Sequence, residues 1–403
     1  MAKLGATGAE AQRTAQHRAQ DGAWYNGVIC VGAALALVAI FLVPTIQPTL
    51  LRAEHWAADW RTAWLSERLA GTHPKVAVVA ITERSVAQFP YFVPINRGYV
   101  ADIVDAVDKA GARAIGLDFY FTRDTEPGPD AKLSETLHRL KHKLVAGVYE
   151  DVVEAQRNYQ YQFLGDTPAG HISLAVDPDH VIRYRAQARE DARYKESFST
   201  LLARAGGWKG GALPDRIGWL LPPLNGAPTF PTIEAHRLLA APPAEREELL
   251  KDRVVLVAGT LYTLDRHWTP LSLRSRDQAF GVYLHAQMAA ELIDGDRSYE
   301  ELGPIATNIL LFALALLGVA LGLRFQERRY DFLDWRVVSL GVIAADLLAF
   351  RHFHLVVPFT LCAAAWVAAV TTGTHLRRAY SWGRYRRRRK ASDKVSDPPG
   401  LTP

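Results

Sequence analysis

The chain has 403 residues, 49% hydrophobic and 22% charged, with a formal net charge of +5. That composition excludes a disordered or low-complexity chain. Its two cysteines, Cys30 and Cys362, both fall in apolar runs, which excludes disulfides, cysteine metal sites and thiol chemistry from the long polar stretch between them.

A polar leader, residues 1–26, precedes the first apolar run, Gly27–Val43. The run is longer than the ~7–15 apolar residues of a signal peptide, and PTIQPTLL after it has no small-residue cleavage site. It therefore reads as an uncleaved transmembrane helix. Arg52–Ala70 follows, with Trp56, Trp60 and Trp64 four residues apart, the spacing of an amphipathic helix that His73-Pro74 would break.

From here the pattern is α/β: a largely parallel sheet with flanking helices. Lys75–Ile81 is a run of β-branched residues, the signature of a strand covered on both faces. Pro94–Ala110 is a helix that Asn96 can cap and Gly111 stops, with Val100, Ile103, Val104 and Val107 on one face. Arg113–Phe121 is the second strand, so the unit should have a right-handed crossover. A helix over Ala131–Lys141 and a strand over Leu144–Val148 follow. His171–Val176 and Val181–Ala186 flank the turn Asp177-Pro178-Asp179-His180, a predicted hairpin. Ser197–Ala205 and Thr232–Leu239 read as helices, Gly206–Gly211 as a loop without phosphate-loop spacing, Val254–Gly259 as a strand and Gly281–Ile293 as a helix.

Three more apolar runs close the chain: Pro304–Leu323, Val337–Phe350 and Leu355–Gly373. The first and last approach the ~20 residues that cross hydrocarbon; the middle one is short and carries Asp346. Basic residues gather at Arg324, Arg328, Arg329 and Arg336 and again between Arg377 and Lys394. Positive segments stay cytoplasmic, so four crossings are expected. The leader 1–26 would lie inside, 27–43 would cross, 44–303 would lie outside, 304–376 would hold three spans and 377–403 would return as a basic tail. No nucleic-acid recognition fold accompanies the arginines, so the tail is expected to contact anionic lipid headgroups. No output domain is expected after Lys394.

The order of motifs resembles the CHASE2 family of bacterial extracytoplasmic sensory domains. The resemblance rests on AVVAITERSVAQF, PINRGYVADIVDAVDKAGARAIGLDFYF, DPDHVIRYRAQA, SFSTLLARA, PTFPTIEAHRLL, DRVVLVAGT with LDRHWTPL, and GVYLHAQMAAELI. It covers about Pro44–Arg297, with one apolar run upstream and three downstream. Thr82 stands where the family usually has an aspartate. The resemblance implies a sensor in the cell membrane, with its large domain periplasmic and its signal passed to a separate protein.

Glu83, Asp118 and Asp265 each lie at or just after the end of a predicted parallel strand, where open α/β sheets bind ligands. Together they could hold Ca²⁺ or Mg²⁺; separately they could cap turns or pair with Arg84, Arg97 or Arg266. Arg97 opens a helix, the end that prefers negative charge, which suits an anion clamp, a partner for Asp118 or a structural ion pair. His138 and His142 lack a third metal ligand, His285 reads as a packing residue, and His352, His354 and Asp346 could form a proton-sensitive cluster. Ser85, Ser173 and Ser199 show no evident base partner.

The expected function is therefore a membrane-anchored, non-enzymatic sensor with Glu83, Arg97, Asp118 and Asp265 as ligand-binding candidates and no implied cofactor. Its ligand would be a small molecule or ion; a homo-oligomer is neither required nor excluded. The alternatives are a metal-dependent hydrolase displayed outside the membrane and a structural subunit of a membrane assembly.

Overall fold

The structure, a computed structural model, describes residues 27–39, 47–262, 265–295, 299–324 and 331–395. The leader 1–26, the loop arginines Arg328 and Arg329, Arg297 and residues 396–403 lie outside the described residues. The chain divides into two units: Ala58–Glu301 with Phe350–Leu355, and a helical unit of the residues up to Ala57, Leu302–Ala349 and those from Val356 on.

In chain order the elements begin with α1 (Gly27–Ala39), α2 (Gln47–Leu65), β1 (Val76–Ile81), α3 (Glu83–Val86), α4 (Arg97–Lys109), β2 (Ala114–Asp118), α5 (Pro127–Leu140) and β3 (Leu144–Val148). Next come α6 (Glu154–Leu164), β4 (Ala169–His171), β5 (Leu174–Val176), β6 (Ile182–Arg185), α7 (Phe198–Ala205), β7 (Thr232–Glu234), α8 (Ala235–Ala240), α9 (Pro243–Leu250) and β8 (Val254–Gly259). The chain continues through β9 (Arg266–His267), α10 (Ser272–Ser275), β10 (Ala279–Phe280), α11 (Gly281–Asp294) and β11 (Glu300–Glu301). Last are α12 (Pro304–Arg324), α13 (Asp331–Phe353), β12 (Leu355–Val356) and α14 (Phe359–Val395).

Six strands form one parallel sheet in the order β4-β3-β2-β8-β1-β7. Val79 sits level with Val257 on one side and Ile233 on the other. Side chains alternate between two helical layers, as the period-2 geometry of strands requires. Val79, Ile115 and Val257 pack with α4, α5 and α8, while Val78, Val254 and Leu256 pack with α7 and α11. Every residue of β1 and β3 is buried, which is why both were apolar without interruption. At the head of β1, His73 is fully enclosed: its Nδ1 accepts from Val76 N, and its Nε2 lies 3.1 Å from Asp294 at the end of α11.

Capping sets the helix boundaries. The Asn96 side chain accepts from Tyr99 N to start α4, and Gly111, with φ of 79°, lies just beyond its end. Ser197 accepts from Thr200 N to start α7.

Several expectations are corrected. Thr232–Glu234 is an edge strand rather than helix; it continues the sheet beside β1 before the chain turns into α8. His171 closes a parallel strand, so the hairpin is only β5 and β6. In α2 the tryptophan stripe is the exposed side: Trp60 and Trp64 are 41% and 44% exposed, while Asp59, Arg61 and Thr62 are buried. The polar side turns inward because Asp59 bonds Arg183 of β6.

In the helical unit α12 packs on α14, and Cys30 and Ala34 of α1 join Ala315, Val319 and Ala369. Gly322 and Gly373 let backbones touch, since a Cβ on Gly322 would stand 2.6 Å from Val370 O and one on Gly373 2.5 Å from Val319 O. Among the described residues two helices, not four, are long and apolar enough to cross a membrane: Pro304–Leu323 and Phe359–Trp382. The described part of the first run, Gly27–Ala39, is shorter. The third run, Val337–Phe350, lies within the longer helix α13; Asp346 falls inside the run, and Asp331, Asp334, Arg336 and Arg351 flank it in the same helix.

Candidate functional site

The carboxyl ends of the parallel strands bring Asp118, His171 and Asp265 toward the start of α11. Asp118 ends β2; its Oδ2 is enclosed and meets no donor among the described residues. Burial above all, then the charge of Asp265, pushes its carboxyl well above the usual carboxylate range. Asp265 follows β8 in a left-handed conformation, φ 52°, and its Oδ1 lies 2.7 Å from His267 Nε2. Burial is the largest influence on it and pushes upward. The hydrogen bond and charge of His267, with His285 and the Gly281 N–H, outweigh burial and leave Asp265 below its ordinary value.

Gly281 makes this approach possible. A Cβ there would lie 2.1 Å from Asp265 Oδ2, and Gly281 N bonds Asp265 O at 3.0 Å. One turn along α11, His285 is 3% exposed, edge-on to Phe198, with Nδ1 unpartnered. Burial lowers it to about 4, against the opposing pull of Asp265, with His171 and His267 adding to the lowering. His171 is likewise buried, lowered by burial, and carries an unpartnered Nδ1. In the sequence His285 reads as a packing residue and His171 carries no local signal, because β4 and α11 are 110 residues apart.

The other two candidates sit elsewhere. Exposed Glu83 accepts from Tyr262 N, holding the loop after β8. Arg97 is 5% exposed and pairs with Asp130 of α5 at 2.9 Å, not with Asp118. Tyr159 OH and Arg123 O take its other donors, and the rings of Phe121, Tyr159 and Phe163 surround its guanidinium. Among the described residues no group of three or more His, Cys, Asp or Glu is placed to hold a metal ion. His138 is exposed and 3.5 Å from Asp166. His354 packs against Tyr299, which stacks on Phe350.

One serine does have a base partner. Ser85 Oγ is 3.1 Å from His236 Nδ1, and His236 Nε2 is 3.3 Å from Glu234. Ser85 is 1% exposed, however, and its hydroxyl closes the capping box of α3 with Thr82.

A cleft of about 890 Å³ opens along the Gly206–Gly211 loop. Gly207, Gly210 and Gly211 take positive φ, a path only glycine follows easily, and Trp208 and Lys209 between them line the cleft. Opposite stand Tyr184, Arg216 and Glu301. Arg216 is 3% exposed; its Nη1 donates to Glu301 Oε1 at 2.6 Å, and its Nη2 has no partner among the described residues. Tyr184 OH donates to the same carboxylate oxygen at 2.8 Å. The cleft thus joins an open volume, an unspent guanidinium donor and a carboxylate three residues ahead of α12.

Compared with known families, residues 33–323 match the model described as the CHASE2 domain. That range is wider than the 44–297 expected and reaches into α1 and α12. No curated protein and no solved structure matched the chain.

Proposed function

The chain belongs to the CHASE2 family of extracellular sensory domains, and on that premise we propose that it is a membrane-anchored sensor whose small-molecule ligand occupies the cleft at Arg216 and Glu301. The observation that carries this reading is the Arg216–Glu301 contact, because Glu301 stands three residues before the apolar helix at Pro304. A ligand that takes Nη2 of Arg216, unpartnered among the described residues, competes with, or reinforces, the hold on Glu301 and shifts an equilibrium between two positions of that segment.

The topology in this proposal has four crossings, with α1 and α13 added to the two long apolar helices, the large unit outside and the basic tail inside in contact with lipid headgroups. The signal passes to a separate protein through the helical unit. A reporter fused after Lys394 is expected to be active only in the cytoplasm; activity outside would remove the four-crossing arrangement.

The ligand site is tested on the full chain in nanodiscs, by melting shifts against a panel of anionic and zwitterionic metabolites. Stabilising compounds should lose their effect in Arg216→Ala and in the cleft-filling Gly210→Trp. Undiminished shifts in both variants would place the ligand elsewhere.

A hydrolase is the second reading, favoured by the Ser85–His236–Glu234 arrangement. Labelling by a fluorophosphonate probe that disappears in Ser85→Ala would support it against the sensor.

A further inference from the structure

Helix α2 is folded with its polar side inward. Asp59 is 5% exposed and held by Arg183, while Thr62 is 1% exposed and donates to Ala58 O. That anchoring fixes the rotation of the helix, so the row of residues four apart on the other side cannot turn in. The row is Arg52, Trp56, Trp60 and Trp64, all exposed, with the Trp60 and Trp64 rings stacked 5.5 Å apart. Exposed tryptophans held outward by a buried ion pair call for an occupant.

The position of the helix along the chain identifies it. Its first residue, Gln47, follows the apolar run that ends at Val43. Within the helical unit, Glu54 Oε2 accepts from Thr360 N at 2.7 Å and Leu361 N at 3.4 Å, at the first turn of α14. Within the other unit, Arg351 from the end of α13 donates to Leu65 O. The first two turns of α2 thus lie next to the apolar run in the chain and are bonded to the first turn of α14. Eleven residues of helix, about 16 Å, separate Glu54 from Leu65.

We propose that Trp60 and Trp64, with Trp56 one turn before them, anchor α2 in the headgroup region on the outer face of the membrane. Tryptophan suits that depth, with an apolar ring body and one N–H for the wet side. Arg52 on the same row can meet a lipid phosphate. The inference rests on the proposed topology.

The test is spin-label accessibility on the full chain in vesicles of three parts phosphatidylethanolamine to one part phosphatidylglycerol. Cys30 and Cys362 are replaced by Ala, and single labels are placed through Trp60→Cys, Trp64→Cys, Ile309→Cys and Glu248→Cys. Ile309 is an exposed residue of α12 and reports the topology; Glu248 is an exposed residue of α9 and reports water. The ratio of oxygen to nickel-chelate collisions at 60 and 64 is expected to be severalfold above that at 248 and to approach that at 309. A water-like ratio at 60 and 64 with a lipid-like ratio at 309 overturns the anchor and leaves the topology standing. Water-like ratios at all four positions overturn the topology first. Dipolar broadening at 60 and 64 that vanishes on dilution with unlabelled protein would identify a second copy as the occupant and overturn the proposal.

Discussion

Arg183 grips Asp59 with two parallel bonds, Nε to Oδ1 at 2.8 Å and Nη2 to Oδ2 at 2.6 Å. The same guanidinium also bonds Asp177 and Asp179 in the turn before β6, while being only 1% exposed. One buried cation thus fastens α2 to the β5–β6 hairpin, 124 residues away. Fork geometry of this kind gives orientation as well as energy.

Arg183→Met should destabilise the folded chain by about 3–5 kcal/mol, because Asp59 is left buried without its counter-charge. The double variant Asp59→Leu with Arg183→Met should recover much of that loss. Denaturant melts of the detergent-solubilised chain measure both; equal losses in the single and double variants would mean that packing, not charge, sets the effect.

His285 and Asp118 pull the pH dependence in opposite directions. His285 is held at about 4, against an ordinary value of 6.5, and burial lowers His171 too. In that window the unfolded chain binds more protons, so stability present above pH 6.5 is lost as pH falls toward 4. For His285 alone the loss is on the order of 3 kcal/mol. Asp118 is raised, so its contribution is present below its unfolded value of 3.8 and is lost as pH rises through its folded value. His285→Phe should flatten the acid limb, and Asp118→Asn should stabilise the chain at neutral pH. Urea melts across the acid and neutral range check both signs.

Gly281→Ala places a methyl against the Asp265 carboxylate, at a Cβ distance of 2.1 Å. The expected loss is about 1–3 kcal/mol, the usual penalty of overpacking. A melting temperature within one degree of the parent would show that Asp265 can swing away freely.

Val79→Asp and Val255→Asp introduce an unpaired carboxylate into the fully buried layer between the sheet and α4. Several kcal/mol are at stake at either site, enough to abolish cooperative unfolding of a domain of ordinary stability. Normal cooperative melts would remove these residues from the core.

The parts of the fold legible in the sequence are those where one rule acts alone. β3 and β8 have the predicted bounds because strands covered on both faces are apolar at every position. Thr232–Glu234 was misread because three residues carry no periodicity and the helix follows at once. The tryptophans of α2 announced a stripe, but spacing says only that residues share a face, not which way the face turns. Asp59 and Arg183 decide that, across a separation no local pattern spans. Arg97 was rightly marked as unusual, yet Asp130, with which it pairs, is on another helix. The strand-end position of Asp118 and Asp265 could be read, whereas His171 and His285 come near them only through the order of strands and the packing of α11.

The glycine contacts between α12 and α14 act as a notch. Turning α12 about its axis by a single residue would bring Leu321 or Leu323 to the place where even one carbon on Gly322 meets Val370 O at 2.6 Å. Rotation of α12 against α14 is therefore opposed by main-chain contact and not by side chains alone.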